Sequence, residues 1–162
     1  MAVTTRLLVV ANRTADSAEL FEELRKRTEA GPVKAMIVMP AVLGHEDEAR
    51  RQLGRALDHM RAAGVDALGT IGDADPVNAA LDVWDVRNFD EIVVCTLPQG
   101  ESTWLHIDLP HRLRRMTDAT VSHVVARAPR AQMAAPLPAV DQEPWFARLF
   151  PINAGGRASA GR

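Results

Sequence analysis

DEIVVCTLPQGESTWLHIDLPHRLRRMTDATVSHVV, residues 90–125, is the stretch that decides the fold. It begins with a short apolar run and a polar loop, continues with apolar residues at helical spacing, and ends with a second apolar run. Short apolar runs predict strands, and steps of three and four residues predict one face of a helix. A strand, a helix and another strand in this order are typical of a parallel βαβ unit.

The same alternation extends back to the start of the chain. Apolar runs predict five strands, at 7–11, 35–39, 67–71, 92–96 and 121–125. The four segments between them show amphipathic patterns that predict helices covering the sheet. The predicted fold class is therefore α/β, with a single doubly wound, five-stranded parallel sheet of the Rossmann-like type and right-handed crossovers.

The composition of the strands predicts their order in the sheet. Strands one, two and four (LLVVA, AMIVM and IVVCT) are almost continuously apolar, as expected where helices cover both faces. Strands three and five (ALGTI and VSHVV) are interrupted, which favours the edges, so the order is 3-2-1-4-5. The winding direction then reverses between strands one and four. Ligands of open α/β sheets bind at such a switch point, here formed by the loops at 11–17 and 95–103.

Chain length and composition predict one folded domain followed by an arm. A chain of 162 residues suits one domain, which we assign to residues 1–126. Residues 127–162 are rich in proline and end in small residues, which predicts an extended C-terminal arm with disordered last residues. Trp145, Phe146, Leu149 and Phe150 form an apolar cluster in this arm, and whether it contacts its own domain or a partner subunit stays open.

Charge and cysteine content exclude several classes of protein. The net charge is −2, and the first 126 residues hold 19 acidic against 14 basic side chains, which argues against nucleic-acid binding. No apolar run is long enough to cross a membrane, and the N-terminus lacks the features of a secretory signal. The single cysteine, Cys95, excludes an internal disulfide. We therefore expect a cytoplasmic protein.

Three features together make the chain similar to the universal stress protein family over residues 5–126. They are the opening strand with its short polar turn, GDADP at 72–76, and the stretch at 90–125 that closes the sheet with VSHVV. The resemblance implies a role in the stress response and a fold like that of the adenine nucleotide alpha hydrolases. It also implies a homodimer that forms through the last strand, at 121–125.

The nucleotide motif of this family is absent. ATP-binding members carry Gly-x2-Gly-x9-Gly-Ser/Thr after the fourth strand, where glycines let the backbone approach phosphates. The three glycine positions fall here on Cys95, Pro98 and Asp108, with Leu109 at the Ser/Thr position. Using Gly100 as the middle glycine does not restore the motif.

Asp108 replaces the last glycine with a carboxylate. IDLPHRLRRM predicts a helix start with Asp108 at the N-cap, a position where aspartate contributes about 0.5–2 kcal/mol relative to alanine. A carboxylate there would repel a phosphate. We hypothesise that Asp108 substitutes internally for the phosphates of a nucleotide.

GDADP has a structural explanation of its own. Asp75 is predicted to cap the third helix, Pro76 suits the first helical position, and Gly72 allows a tight exit from the strand. A ligand role for Gly72 or Asp73 is implied only by the resemblance.

The candidate ligand residues lie at the carboxyl ends of the predicted strands. The resemblance places Asn12 where many members have an aspartate that meets the nucleoside, and Arg13 or Arg112 would face a phosphate. The full set is Ala11, Asn12, Arg13, Thr14, Met39, Gly72, Asp73, Cys95, Thr96, Ser102, Thr103, Asp108 and Arg112. Ser102 and Thr103 also predict a separate short turn before Asp108.

Two functions remain open. The first is a non-catalytic, homodimeric universal stress protein-like module with no certain cofactor. The alternative is a stress sensor that binds ATP, another adenine nucleotide or a nucleoside in the switch-point loops. A third hypothesis, an enzyme using Cys95 or Asp73, has less support because no nucleophile elbow or triad is evident. His106, Asp108 and His111 lack the spacing of a metal site, so none is expected.

Overall fold

The computed structural model of the protein describes residues 3–127. Five parallel strands form one sheet in the order β3-β2-β1-β4-β5, which confirms the predicted fold class and strand order. The strands are β1 (Thr5–Val10), β2 (Val33–Pro40), β3 (Asp66–Gly72), β4 (Glu91–Thr96) and β5 (Thr120–Val125).

Four helices follow the predicted patterns, and a short fifth one lies in the loop after β4. They are α1 (Ala18–Ala30), α2 (Glu46–Ala62), α3 (Pro76–Val83), α4 (Thr103–His106) and α5 (Leu109–Thr117). The short helix α4 begins directly after Ser102, where a separate turn was predicted.

The sheet is covered on both faces by helices. Alternating strand residues point to opposite faces, so each strand contributes to two apolar layers. The layer under α1 and α2 includes Leu7, Val9, Leu24, Ile37 and Met60. The layer under α3 and α5 includes Leu8, Val10, Val77, Val94 and Leu113. Burying one such side chain contributes about 1.5–3 kcal/mol, and these layers hold the loops at the carboxyl edge in place.

The interrupted apolar pattern of β3 has a structural explanation that the sequence alone did not reveal. A Cβ atom added at Gly69 would lie 2.7 Å from Leu53 Cδ1, so glycine lets α2 pack directly on this strand. On the opposite face Leu68 is 60% exposed, while its β2 partner Met36 is half-buried. The interrupted pattern of β3 therefore reflects close helix packing on one face and solvent on the other.

The start of α3 confirms the predicted cap and changes the explanation for Gly72. The Asp75 carboxylate accepts hydrogen bonds from Val77 N (2.8 Å) and Asn78 N (3.4 Å), and Pro76 is the first helical residue. A Cβ atom at Gly72 would lie 2.7 Å from Ala79 Cβ and 2.9 Å from Val38 Cγ2. Gly72 is therefore needed for close packing between β2, β3 and α3.

The C-terminal arm lies outside the described residues from residue 128 onward, including its apolar cluster Trp145, Phe146, Leu149 and Phe150. Within residues 3–127, no helix combines the length and apolar character that a membrane crossing requires.

Candidate functional site

A cleft of about 150 Å³ opens at the carboxyl ends of β1 and β4, and we call it the switch-point cleft. It lies at the predicted switch point, because β1 pairs with β2 on one side and with β4 on the other. Predicted residues that line it are Asn12, Arg13, Thr14, Cys95, Thr96, Ser102 and Thr103. Leu97, Glu101 and Trp104 also line it and were not singled out, although they belong to or directly follow the predicted loop.

A buried hydrogen bond joins the two walls of the switch-point cleft. Thr14 Oγ1 donates to the carbonyl oxygen of Cys95 at 2.8 Å, and both residues are buried. A buried hydrogen bond of this kind contributes about 0.5–1.5 kcal/mol. The loop after β1 and the end of β4 are therefore fixed relative to each other.

Asn12 is held by hydrogen bonds to residues of two other elements. Its Nδ2 donates to Pro40 O at 3.1 Å, and Gln52 Nε2 donates to Asn12 O at 3.1 Å. The carbonyl of Pro40 can only accept, which orients the amide and leaves Oδ1 as the free acceptor. Asn12 thus offers a positioned acceptor at the rim of the cleft.

Ser102 contributes a polar group that other residues do not use. The residue is 6% exposed and lines the switch-point cleft. It occupies the N-cap position of α4 without a side-chain capping bond, and its hydroxyl has no hydrogen-bond partner within residues 3–127. No buried side-chain nitrogen or oxygen of the described residues lacks a partner, so this hydroxyl is accessible from the cleft and is suited to meet a ligand.

Thr96 connects the cleft to the edge strand. Its Oγ1 lies 2.7 Å from Nε2 of His123 on β5, and Thr96 is buried. Burial and, to a smaller extent, the Arg114 charge lower the pKa of His123. The neutral ring is therefore favoured, and the hydroxyl of Thr96 is already committed to it.

Cys95 is a packing residue at the end of β4. Burial raises the pKa of its thiol, and Sγ lies 3.7 Å from Ser17 Oγ and 3.8 Å from Thr14 O. A thiol with a raised pKa remains protonated near neutral pH and is a poor nucleophile. The backbone carbonyl of Cys95 shapes the cleft through its bond to Thr14.

Several predicted residues do not line the switch-point cleft. Ala11 and Met39 are fully buried in the core, and Gly72 packs against α3. Asp73 is exposed and accepts a hydrogen bond from Asp75 N at 2.7 Å, a local turn contact. Arg112 is exposed on α5.

The predicted capping role of Asp108 is wrong. Asp108 occupies the N-cap position of α5, but its side chain makes no capping hydrogen bond and is exposed. Its backbone is left-handed (φ 50°, ψ 48°), whereas a capping residue is extended. Pro110 at the second helical position also has no N–H to donate. The hypothesis that this carboxylate replaces a phosphate at the helix start therefore loses its structural basis.

A second, larger cleft adjoins the first, and we call it the β2 cleft. Its volume is about 580 Å³, and it shares Asn12 and Arg13 with the switch-point cleft. Its other lining residues come from the loop after β2 and from α2, and include His45, Glu48, Gln52 and Arg55. Sequence reasoning missed these residues because no short motif contains them.

The charged groups of the described residues do not form a metal site. No cluster of three or more His, Cys, Asp or Glu side chains suited to a metal ion occurs between residues 3 and 127.

Comparison with solved structures identifies the fold. A universal stress protein in complex with cAMP superposes with a TM-score of 0.56 and 18% identity, covering 75% of this chain and 97% of the other. The chain has the universal stress protein fold. No protein-family model matches the sequence, and no curated protein matches it either.

Two further universal stress protein structures, both from Archaeoglobus fulgidus, share this fold. One has a TM-score of 0.51 and 16% identity, covering 74% of this chain and 93% of the other. The other, in complex with dAMP, has a TM-score of 0.50 and 16% identity, covering 76% and 99%. The universal stress protein fold therefore includes structures with bound adenine nucleotides.

Proposed function

We propose that this protein is a non-catalytic member of the universal stress protein family that binds the nucleoside part of an adenine nucleotide in the switch-point cleft. The observation that carries the proposal is the hydroxyl of Ser102: the residue is 6% exposed and lines the cleft, and its hydroxyl makes no hydrogen bond in the described part of the chain. The free Oδ1 of Asn12 supplies a matching acceptor. A donor and an acceptor at one cleft are what the hydroxyls and ring nitrogens of a nucleoside require.

The solved structures with the same fold support this choice of ligand class. Two of them are complexes with cAMP and dAMP, and these ligands share an adenine base joined to a sugar and a single phosphate. Their sequence identities of 18% and 16% establish only the fold, so the ligand class is a proposal for this chain.

The switch-point cleft favours a nucleoside over a triphosphate. Its volume of about 150 Å³ is small for a ligand pocket, since such pockets usually measure roughly 300–1,000 Å³. Glu101 adds a carboxylate to the lining, and the family glycines that let the backbone approach phosphates are absent. We therefore expect ATP to gain little from its additional phosphates.

Calorimetric titration of the purified chain with adenosine, AMP and ATP tests the proposal, together with mass spectrometry of co-purified small molecules. Adenosine is expected to bind, and ATP to bind no more than about threefold tighter than AMP. Ser102→Ala is expected to weaken adenosine binding about fivefold, as for one lost hydrogen bond.

Thr70→Ala is the matched control, because Thr70 is an exposed hydroxyl residue on β3 at the far edge of the sheet. Equal effects of the two variants, or no binding of adenosine to the wild-type chain, would refute the proposed site.

The non-catalytic part of the proposal is supported by the two candidate reactive groups. Burial raises the pKa of the Cys95 thiol, and the Asp73 carboxylate makes a local turn contact. When the protein is incubated with AMP and ATP, we expect both nucleotides to remain intact. Phosphate release above a buffer control, lost in Cys95→Ala or Asp73→Asn, would show an enzyme instead.

We also propose that the protein forms a homodimer through β5. Within the described chain β5 pairs only with β4, so its other edge presents unpaired backbone groups. Val125, the last residue of this strand, is 48% exposed. Light scattering is expected to give twice the 17.7 kDa chain mass. Val125→Asp is expected to shift this toward the monomer, while Val86→Asp, at another exposed valine, leaves it unchanged. A monomeric wild-type protein would exclude the dimer.

A further inference from the structure

We propose that a groove along the free edge of β5 binds the same groove of a second copy of this chain, and that Glu19 and Lys26 of α1 select this partner. Each of the two residues pairs with the other one of the second copy. The groove has a volume of about 650 Å³, and we call it the edge groove. This inference rests on the proposed homodimer and names the charged residues that make one copy recognise another.

The edge groove is lined by residues from both sides of β5. They are residues 121–124 of β5 itself, Arg114 of α5, and four charged residues of α1 that we call the α1 stripe, namely Glu19, Glu22, Glu23 and Lys26. Helix positions three, four and seven residues apart share one face. The α1 stripe is therefore a continuous row of charged side chains beside a strand edge that has free backbone groups.

The two central carboxylates of the α1 stripe are already paired within the chain. Arg25 Nη2 lies 2.9 Å from Glu22 Oε1, and Arg27 Nη1 lies 2.6 Å from Glu23 Oε1. Because these two carboxylates have their own cations, they do not require a partner from another molecule. The charges left to recognise a second copy lie at the two ends of the stripe.

The two ends of the α1 stripe carry opposite charges. Glu19 is half-buried, and its carboxylate accepts a hydrogen bond from Arg127 N at 3.1 Å. Lys26 is exposed. Neither Glu19 nor Lys26 forms an ion pair within residues 3–127. Seven helical residues separate them by about 10 Å, so the stripe has an anionic and a cationic end.

Helix α1 runs antiparallel to β5, and contacts at both ends show this. Glu19, at the start of α1, accepts from Arg127 N just after the end of β5. Near the end of α1, Arg27 Nη2 lies 2.7 Å from Glu91 Oε1. Glu91 is in register with Thr120, the first residue of β5. The middle of the α1 stripe therefore lies beside the middle of the strand.

Two-fold symmetry converts the polarity of the α1 stripe into self-complementarity. A two-fold axis perpendicular to the sheet pairs two β5 edges antiparallel and keeps each face of the sheet on its own side. When the pairing uses the whole strand, the axis passes near residues 122 and 123. The two α1 stripes then lie side by side in opposite directions. Glu19 of one copy faces the partner's Lys26, and this pair occurs twice in the dimer.

These pairs act on the choice of partner more than on the strength of the dimer. An exposed ion pair contributes little to stability, because water screens it and two long side chains are ordered. Like charges that face each other across an interface are costly in comparison. Reversing the charge of Lys26 is therefore expected to have a larger effect than removing it.

The test measures the dissociation constant of the dimer by sedimentation of the full chain at low and high salt. Lys26→Glu places a carboxylate opposite the partner's Glu19 at two places, and we expect the dissociation constant to rise about tenfold at low salt. Lys26→Ala is expected to raise it about threefold or less. High salt is expected to weaken the wild-type dimer and to tighten the Lys26→Glu dimer, because screening removes attraction in one and repulsion in the other.

Charge exchange tests the pairing directly. Glu19→Lys combined with Lys26→Glu is expected to restore the dissociation constant to within about threefold of the wild-type value, because both pairs re-form with reversed polarity. A mixture of the two single variants is expected to form the mixed dimer in preference to either homodimer. Only the mixed dimer contains two pairs of opposite charge.

Lys34→Glu is the matched control. Lys34 is an exposed lysine on β2, and its Nζ lies 3.9 Å from Asp66 Oδ2 on β3, on the side of the sheet away from β5. We expect this variant to leave the dissociation constant and its salt dependence unchanged. An equal effect of Lys34→Glu and Lys26→Glu would mean that net charge alone controls association, and would overturn the inference.

The outcomes for this inference and for the proposed homodimer are distinguishable. A dimer that Val125→Asp weakens and Lys26→Glu does not would refute the inference and support pairing through β5. A dimer that Lys26→Glu weakens and Val125→Asp does not would refute pairing through β5 and support the charge pairs of α1. A monomeric wild-type chain would refute both.

Discussion

The starts of α3 and α5 carry an aspartate at the same capping position, and only one of the two aspartates caps. Asp75 is extended (φ −78°, ψ 117°) and accepts from two backbone N–H groups. Asp108 is left-handed and accepts from none. Both helices pack on the same face of the sheet, so the difference comes from the local backbone and from the position of the proline. An N-cap residue stabilises a helix only when its backbone brings the side chain over a free donor.

The largest expected effect is at the glycine before α3. Gly72→Ala places a Cβ atom 2.7 Å from Ala79 and 2.9 Å from Val38, which overpacks the junction. We expect the free energy of unfolding to fall by about 1–3 kcal/mol in urea titration. Gly54→Ala is the control, because no atom lies within 4 Å of a Cβ there, and alanine in helix α2 should raise stability. A neutral Gly72→Ala would mean that α3 is not held against β3 as described.

The next effect tests the cap itself. Asp75→Ala removes an acceptor from Val77 N and Asn78 N, and we expect it to lower the free energy of unfolding by about 1 kcal/mol. The measurement is again a urea titration. A change below a few tenths of a kcal/mol would show that water replaces the carboxylate, and the contrast between the two helix starts would disappear.

A smaller change of opposite sign is expected at the start of α5. Asp108 has a positive φ, a conformation that glycine adopts without steric cost. Because no capping bond is lost, Asp108→Gly is expected to raise the free energy of unfolding by roughly 0.5 kcal/mol. Asp75→Gly should lower it instead. If Asp108→Gly lowers stability as much as Asp75→Ala does, the Asp108 carboxylate caps α5 in solution.

The smallest effect depends on pH and concerns the strand that follows α5. Burial, followed by the Arg114 charge, lowers the pKa of His123 below its usual value of about 6.5. The folded state thus disfavours the protonated ring. The contribution of His123 to the free energy of unfolding is therefore present above about pH 6.5 and is lost as the pH falls through the lowered pKa. We expect His123→Gln to reduce the loss of stability between pH 7 and 5, measured by thermal unfolding at each pH.

His111→Gln is the control for this pH dependence, because His111 is an exposed histidine on α5. The interpretation of His123 would be wrong if both variants changed the pH profile equally.

The fold and the α3 cap were predictable because their signals are local. Apolar runs and their interruptions determined the strand order, and Asp75 followed by Pro76 is a two-residue signature of a helix start. Asp108 followed two residues later by Pro110 has a similar appearance. The short helix α4 directly before it, however, leaves Asp108 N bonded to Leu105 O and its backbone left-handed. This geometry depends on how two helices join, which no capping pattern encodes.

The candidate site was predictable in part for the same reason. The switch-point loops followed from the strand order, so Asn12, Thr14, Cys95 and Ser102 were found. The β2 cleft combines Arg13, from the loop after β1, with His45 and Arg55, which lie at the start of α2 and within it, roughly thirty to forty residues later in the chain. Their proximity results from the packing of α2 on the sheet and leaves no periodic or motif signal.

The contact between Thr96 and His123 gives the molecule a natural spectroscopic reporter. Thr96 lines the switch-point cleft, and its hydroxyl lies 2.7 Å from an imidazole nitrogen at the edge of the sheet. We expect a ligand that engages this hydroxyl to perturb its hydrogen bond to the ring and thereby to shift the ring resonances. With five histidines in the whole chain, an unlabelled sample offers a simple imidazole spectrum in which one signal follows the occupancy of the cleft.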